Sequence, residues 1–235
     1  MIKRMIAGLF LLLIFQSLVY SGEESLYDFL WLDPDKKVYV LQNKLFKKEH
    51  KFYADLGYLS NFTSTFQKTD GLSLKTGFYF HEEWGLEAFY NRYQNSTNEN
   101  WNNVRQINGA DPFVRRLNQS YGAMVIWSPF YGKINTFNKI YYFDWSFGAG
   151  LAKIDAESNR KTVDDTNLKS NYDSEKINAA VWKTKVKFHL KENVHLGVEW
   201  MQHHYKAAGP DRNGKSGTEA FKTNQDLIIS VGFSF

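Results

Sequence analysis

Residues 177–204 read INAAVWKTKVKFHLKENVHLGVEWMQHH. Two runs in this stretch alternate with period two, and only Lys191, Glu192 and Asn193 separate them. In the first run Ala180, Trp182, Thr184, Val186, Phe188 and Leu190 share one side, while Lys183, Lys185, Lys187 and His189 share the other. In the second, Val194, Leu196, Val198 and Trp200 oppose His195, Gly197 and Glu199. Successive side chains of a strand point to opposite faces, so each run reads as a strand with one apolar and one charged face. The short link makes the pair a tight hairpin.

The same alternation recurs in KFYADLGYLSNF (51–62), GLSLKTGFYF (71–80), WGLEAFYNRYQ (84–94), SYGAMVIWSPFYGK (120–133), IYYFDWSFGAGLA (140–152) and DLIISVGFSF (226–235). In the last of these, Leu227, Ile229, Val231, Phe233 and Phe235 lie opposite Ile228, Ser230, Gly232 and Ser234. Pro129 is expected to end the fourth run, because proline cannot donate to a ladder. The expected total is eight strands, with connections that run long, short, long, medium, long, short and long. That order is the decisive one. A soluble sandwich has no reason to alternate its loop lengths, whereas a transmembrane β-barrel keeps short turns on the periplasmic side and long loops outside.

Composition fits. Aromatic residues make up 17% of the 235-residue chain, yet the mean hydropathy is −0.48, so aromatic surface is interleaved with polar residues. In a bilayer the apolar face of each strand meets lipid, the polar face is enclosed, and the sheet closes so that no backbone group is left unpaired. The fold expected is therefore an all-β, eight-stranded antiparallel transmembrane barrel over residues 50–235. An eight-stranded barrel is just wide enough to be filled by its own side chains. Lys75, Lys183, Lys185 and Lys187 are thus read as lumen partners of Asp55, Glu87, Asp144 and Glu199. The glycines on the same face, among them Gly77, Gly148 and Gly197, leave room for those long side chains. Trp84, Trp127, Tyr141 and Phe235 are placed in a periplasmic girdle, and Tyr90, Trp182 and Trp200 further up.

The chain starts with Lys3 and Arg4, an uncharged apolar stretch from Met5 to Val19, and then small or polar residues. This reads as a signal peptide over 1–21, cleaved after Ser21, and it implies export. Its removal takes two positive charges off the formal +4, leaving +2. No basic cluster with stacking aromatics remains, so nucleic acid is not an expected partner. The sequence holds no cysteine, which excludes a disulfide scaffold and a thiolate metal site. Residues 22–49 do not alternate like barrel strands and are read as an N-terminal periplasmic segment.

VYVLQNKLFKKEHKF (38–52), WSPFYGKINTFNKIYYFDWSFGAGLA (127–152) and the C-terminal strand resemble the outer-membrane β-barrel domain proteins of predatory and related Gram-negative bacteria. The resemblance implies a small membrane barrel, some of whose relatives are thought to form rings that enclose lipid. It transfers no catalytic residues.

The expected role is accordingly structural or lipid-organising, with membrane lipids and the outer-membrane assembly machinery as partners and a homo-oligomer as an extension. Leu227, Ile229, Val231, Phe233 and Phe235 are read as the assembly signal. No enzyme activity, cofactor or metal site is expected. Two alternatives stand beside this reading. One is a lipid A or phospholipid modifying enzyme using His203 or His204, with Glu199 below them; the other is a narrow porin-like channel. The 209–220 loop resembles a calcium loop only faintly, because it lacks ligands at alternating positions.

Overall fold

The computed structural model describes residues 44–109, 111–136, 139–163, 171–211 and 215–235. The expected signal peptide, and the 22–43 part of the expected periplasmic segment, lie outside them. Eight antiparallel strands follow in chain order: β1 Phe52–Asn61, β2 Gln67–Tyr79, β3 Trp84–Thr97, β4 Arg115–Thr136, β5 Lys139–Ser158, β6 Asp173–His189, β7 Val194–Ala208 and β8 Glu219–Ser234. Each pairs with the next, and β8 returns to β1 to close the barrel. The closing register runs from Tyr53↔Ser234 to Asn61↔Asp226, and Phe52 and Phe235 exchange two backbone hydrogen bonds of 2.9 Å. The last residue is pinned to the first strand.

Burial is inverted relative to a water-soluble protein over much of the barrel, although Met124 and Ile126 of β4 and Ile154 of β5 are also enclosed. On β1, Leu56 is 61% exposed and Asp55 1%; on β8, Ile229 is 56% exposed and Ser230 4%. An outward band of exposed large apolar side chains around a charged interior is stable only when lipid covers the band. The chain is therefore an eight-stranded transmembrane barrel of the outer-membrane type.

Connections at one end are short, at 80–83, 137–138 and 190–193; those at the other are 62–66, 98–114, 159–172 and 209–218. We call these the lower and upper ends. The first upper connection is shorter than expected because β2 starts at Gln67, ahead of the apolar alternation. The same holds elsewhere: β3, β5 and β7 run on past their apolar stretches, because strand pairing continues above the bilayer where the outward face turns polar. The hydropathy signal stops before the ladder does.

Two features differ from the sequence reading in kind. Pro129 does not end β4, which continues to Thr136; the ladder to β5 skips from Trp127 to Phe130 through a register shift. A bulge is where a strand tolerates a residue that cannot donate. The polar stretch between β3 and β4 also contains a helix, α1 Glu99–Asn108. The Asn98 side chain caps its first turn by accepting from the Trp101 N–H at 3.1 Å, and Gly109 closes it at φ 67°, a left-handed conformation that glycine adopts freely.

Candidate functional site

The interior of the barrel is where the chemistry-bearing residues converge. Alternation on each strand sends one parity inward, so β2 contributes Lys75, β3 Glu87, β6 Lys183 and β7 Glu199. Lys183 Nζ donates to Glu87 Oε1 at 2.5 Å and to Glu199 Oε2 at 3.0 Å. Lys75 forms an ion pair with the other oxygen of Glu199. The Tyr53 hydroxyl donates to Glu87 Oε2 at 2.6 Å. These four charged side chains are at most 2% exposed, and they join β2 and β3 to β6 and β7 across the middle of the lumen.

Below this knot, Asp55 is paired with Lys185 and lies 2.6 Å from His195 Nε2. Lower still, Asp144 accepts from Lys48 Nζ at 2.7 Å, lies 2.7 Å from His189 Nε2 and stands 3.7 Å from Lys187 Nζ. All eight lumen residues named from the sequence thus lie inside, and the structure joins each of them to at least one other of opposite charge. Glycine makes the room: a Cβ at Gly197 would meet Lys185 at 2.7 Å, one at Gly148 would approach Lys183 at 3.1 Å, and one at Gly77 would strike the Tyr53 ring.

Lys48 was not singled out by pattern, because it belongs to no strand. Residues 44–50 lie against the lower rim, where Glu82 accepts from the backbone N–H of Lys48 and Glu49 and pairs with Lys44 at 2.7 Å. Phe46 stacks on His189 with ring centroids 4.4 Å apart. Lys48 is 3% exposed and also donates to Ser128 Oγ at 2.7 Å. Residues 44–50 therefore pack on the barrel although they belong to no strand.

A second polar cluster occupies the upper lumen. Asp226 accepts from Asn61 Nδ2 at 2.6 Å and from the Tyr93 hydroxyl at 2.7 Å, and Asn224 Nδ2 stands at 3.2 Å. His203 Nδ1 lies 3.6 Å from the same carboxylate, beyond hydrogen-bond reach, and neither ring nitrogen of His203 has a hydrogen-bond partner among the described residues. Asp226 shares the parity of Ser230 and Gly232; following the alternation upward was the signal that could have found it. His204 points the other way, accepting from Trp182 Nε1 at 3.0 Å and lying 2.9 Å from Thr223 Oγ1. The two adjacent histidines therefore do not converge on one point.

Outside, Trp84, Trp127, Tyr90, Tyr141, Trp182 and Trp200 all face away from the lumen, as do Ile229, Val231, Phe233 and Phe235; Leu227 is only partly exposed. Trp84 stacks on Trp127 across β3 and β4 at 6.0 Å, and Trp182 meets Trp200 edge-on at 5.7 Å. No group of three or more potential metal ligands occurs among the described residues.

No family model matches the sequence, and no curated protein does. Among solved structures, the N-terminal β-barrel domain of Pseudomonas aeruginosa OprF is 13% identical, with a TM-score of 0.47 over 80% of this chain and 98% of that one. The outer membrane protein OprG from Pseudomonas aeruginosa is 12% identical, with a TM-score of 0.45 over 81% and 98%. Neisserial surface protein A is 18% identical, with a TM-score of 0.41 over 78% and 94%. These likenesses are remote; the barrel rests on the closed register of this chain itself.

Proposed function

We propose that this protein is a closed outer-membrane barrel with a structural, lipid-organising role, which passes no solute and transforms no substrate. The observation that carries this reading is the Lys183–Glu87–Glu199–Lys75 knot, which ties opposite walls together through side chains that are all at most 2% exposed. A lumen crossed in this way leaves no continuous water path for an ion. The outward aromatics are the surface on which lipid is ordered, since Trp and Tyr favour the membrane–water interface. The separation of His203 and His204 onto opposite faces supports a role other than acyl chemistry.

Planar-bilayer recording of the purified barrel tests this. Silence is expected, and a stable unit conductance would overturn it. Lipids extracted after expression should be unchanged, and a newly modified lipid species would replace this reading with the enzymatic one. The ring implied by the likeness to barrels of predatory bacteria is its extension: native mass spectrometry should then show a multiple of the protomer mass, and a monomer would remove the ring.

A further inference from the structure

The upper mouth of the barrel contains a cavity of about 300 Å³ that the closed-barrel role does not use. Five strands line it from their lumen faces, through Asn61, Gln67, Arg115, Tyr205 and Lys222 among others. Its floor is Asn61 and Asn224, which donate to Asp226 beneath them, so it is blind toward the membrane. We infer that this vestibule binds a hydroxyl-rich anion of the class of a carboxylated sugar.

Three observations converge. Gln67 is 5% exposed, and its Nε2 has no hydrogen-bond partner among the described residues. A buried donor left in this state costs free energy that a ligand acceptor would recover. Around it stand groups suited to hydroxyls: Thr63 and Thr65 from the first upper connection, and Tyr205, whose hydroxyl bonds no other described residue. The charges of the lining are positive. Arg115 is fixed by Glu175 at 2.8 Å and by the Ala208 carbonyl at 2.7 Å, while Lys222 has no ion-pair partner and no carboxylate lines the cavity, among the described residues. Phe113, with the Arg115 guanidinium 5.5 Å from its ring centre, supplies an apolar face for the C–H side of a sugar ring. The volume is at the small end for ligand clefts and suits one ring, not a chain of them.

Saturation-transfer-difference NMR on the full chain, folded in detergent micelles, tests the site with glucuronate, glucose and acetate as probes. Glucuronate should give the strongest signal and acetate none. Lys222→Met should abolish the preference for glucuronate over glucose, a loss of about tenfold for one charged contact. Gln67→Leu should weaken both sugars; heat-modifiable gel migration shows whether each variant is folded. Equal signals from acetate and glucuronate would overturn the proposal by reducing the site to a counter-ion position. So would glucuronate binding that survives both substitutions, or none in the unsubstituted protein. Repeating the titration in membranes with and without lipopolysaccharide separates the sources: loss of free glucuronate binding in the former assigns the sugar to the membrane's own glycolipid, and retention assigns it to the medium. Bilayer conductance reports on the closed lumen independently, so the two readings fail separately.

Discussion

In the lower half of the lumen, carboxylates are held by ammonium groups: Asp144 by Lys48, Asp55 by Lys185, and Glu87 and Glu199 by Lys183 and Lys75. In the upper half one buried carboxylate, Asp226, is held by two amides and a phenol, with no lysine in contact. The difference teaches how a barrel can close itself in two ways. Ion pairs knit opposite walls together, but each one removed strands a charge in a dry interior. Neutral donors are individually weaker, and losing one leaves the carboxylate with the others.

The contrast predicts a ranking. Lys183→Met leaves Glu87 with the Tyr53 hydroxyl but no ammonium partner and Glu199 with one ammonium instead of two, so unfolding in detergent with urea should show a loss of about 3–5 kcal/mol, the range for breaking a buried pair. Adding Glu87→Gln should recover much of that loss, because Glu199 keeps Lys75. Recovery of none would mean that Lys183 acts through packing. Lys48→Met should cost less, about 1.5–3 kcal/mol, since Asp144 retains His189 and Lys187. Tyr93→Phe in the upper cluster should cost about 1–2 kcal/mol, with Asn61 and Asn224 still donating. If Tyr93→Phe proved as damaging as Lys183→Met, the contrast between the halves would be broken.

The smallest expected effect concerns the lower rim, outside the membrane. Burial pulls the Glu82 carboxyl upward, but hydrogen bonds from Lys44 and from the backbone N–H of Glu49 and Lys48 outweigh it, leaving it below its ordinary value near 4.5. A depressed carboxylate contributes stability above its unfolded value and loses it as pH falls through the folded one. The attachment of residues 44–50 should therefore loosen below pH 4.5, seen as a fall in the amide-exchange protection factors of Lys48 and Glu49, each taken against the unfolded rate at the same pH. Glu82→Gln should abolish that pH dependence.

How far the sequence could be read follows the physics of each element. The lower lumen was legible because Lys183, Lys185 and Lys187 sit on a single strand face between apolar residues, and once the loop order puts the apolar face in lipid the lysines must be enclosed with acids. The strand interiors were legible for the same reason. Lys48 was not, since it enters the lumen from a segment without periodicity, and its burial depends on the Glu82 turn reaching under it. Nor was α1, whose signal is the Asn98 cap and Gly109 stop inside a polar stretch. The continuation of β4 past Pro129 was hidden because a bulge preserves pairing on either side of a residue that cannot pair. Asp226 carries the right parity but stands at the edge of the apolar alternation, where the hydropathy pattern ends.

The central claim, that the lower lumen is closed by desolvated ion pairs, is tested most directly by NMR of the lysine ammonium groups in the folded barrel. Protected ammonium signals in slow exchange with water are predicted for Lys75, Lys183 and Lys185, with Lys68, whose side chain is 72% exposed, exchanging freely. Ammonium protons that all exchange as fast as those of Lys68 would contradict it, because they would place water where the structure places carboxylates.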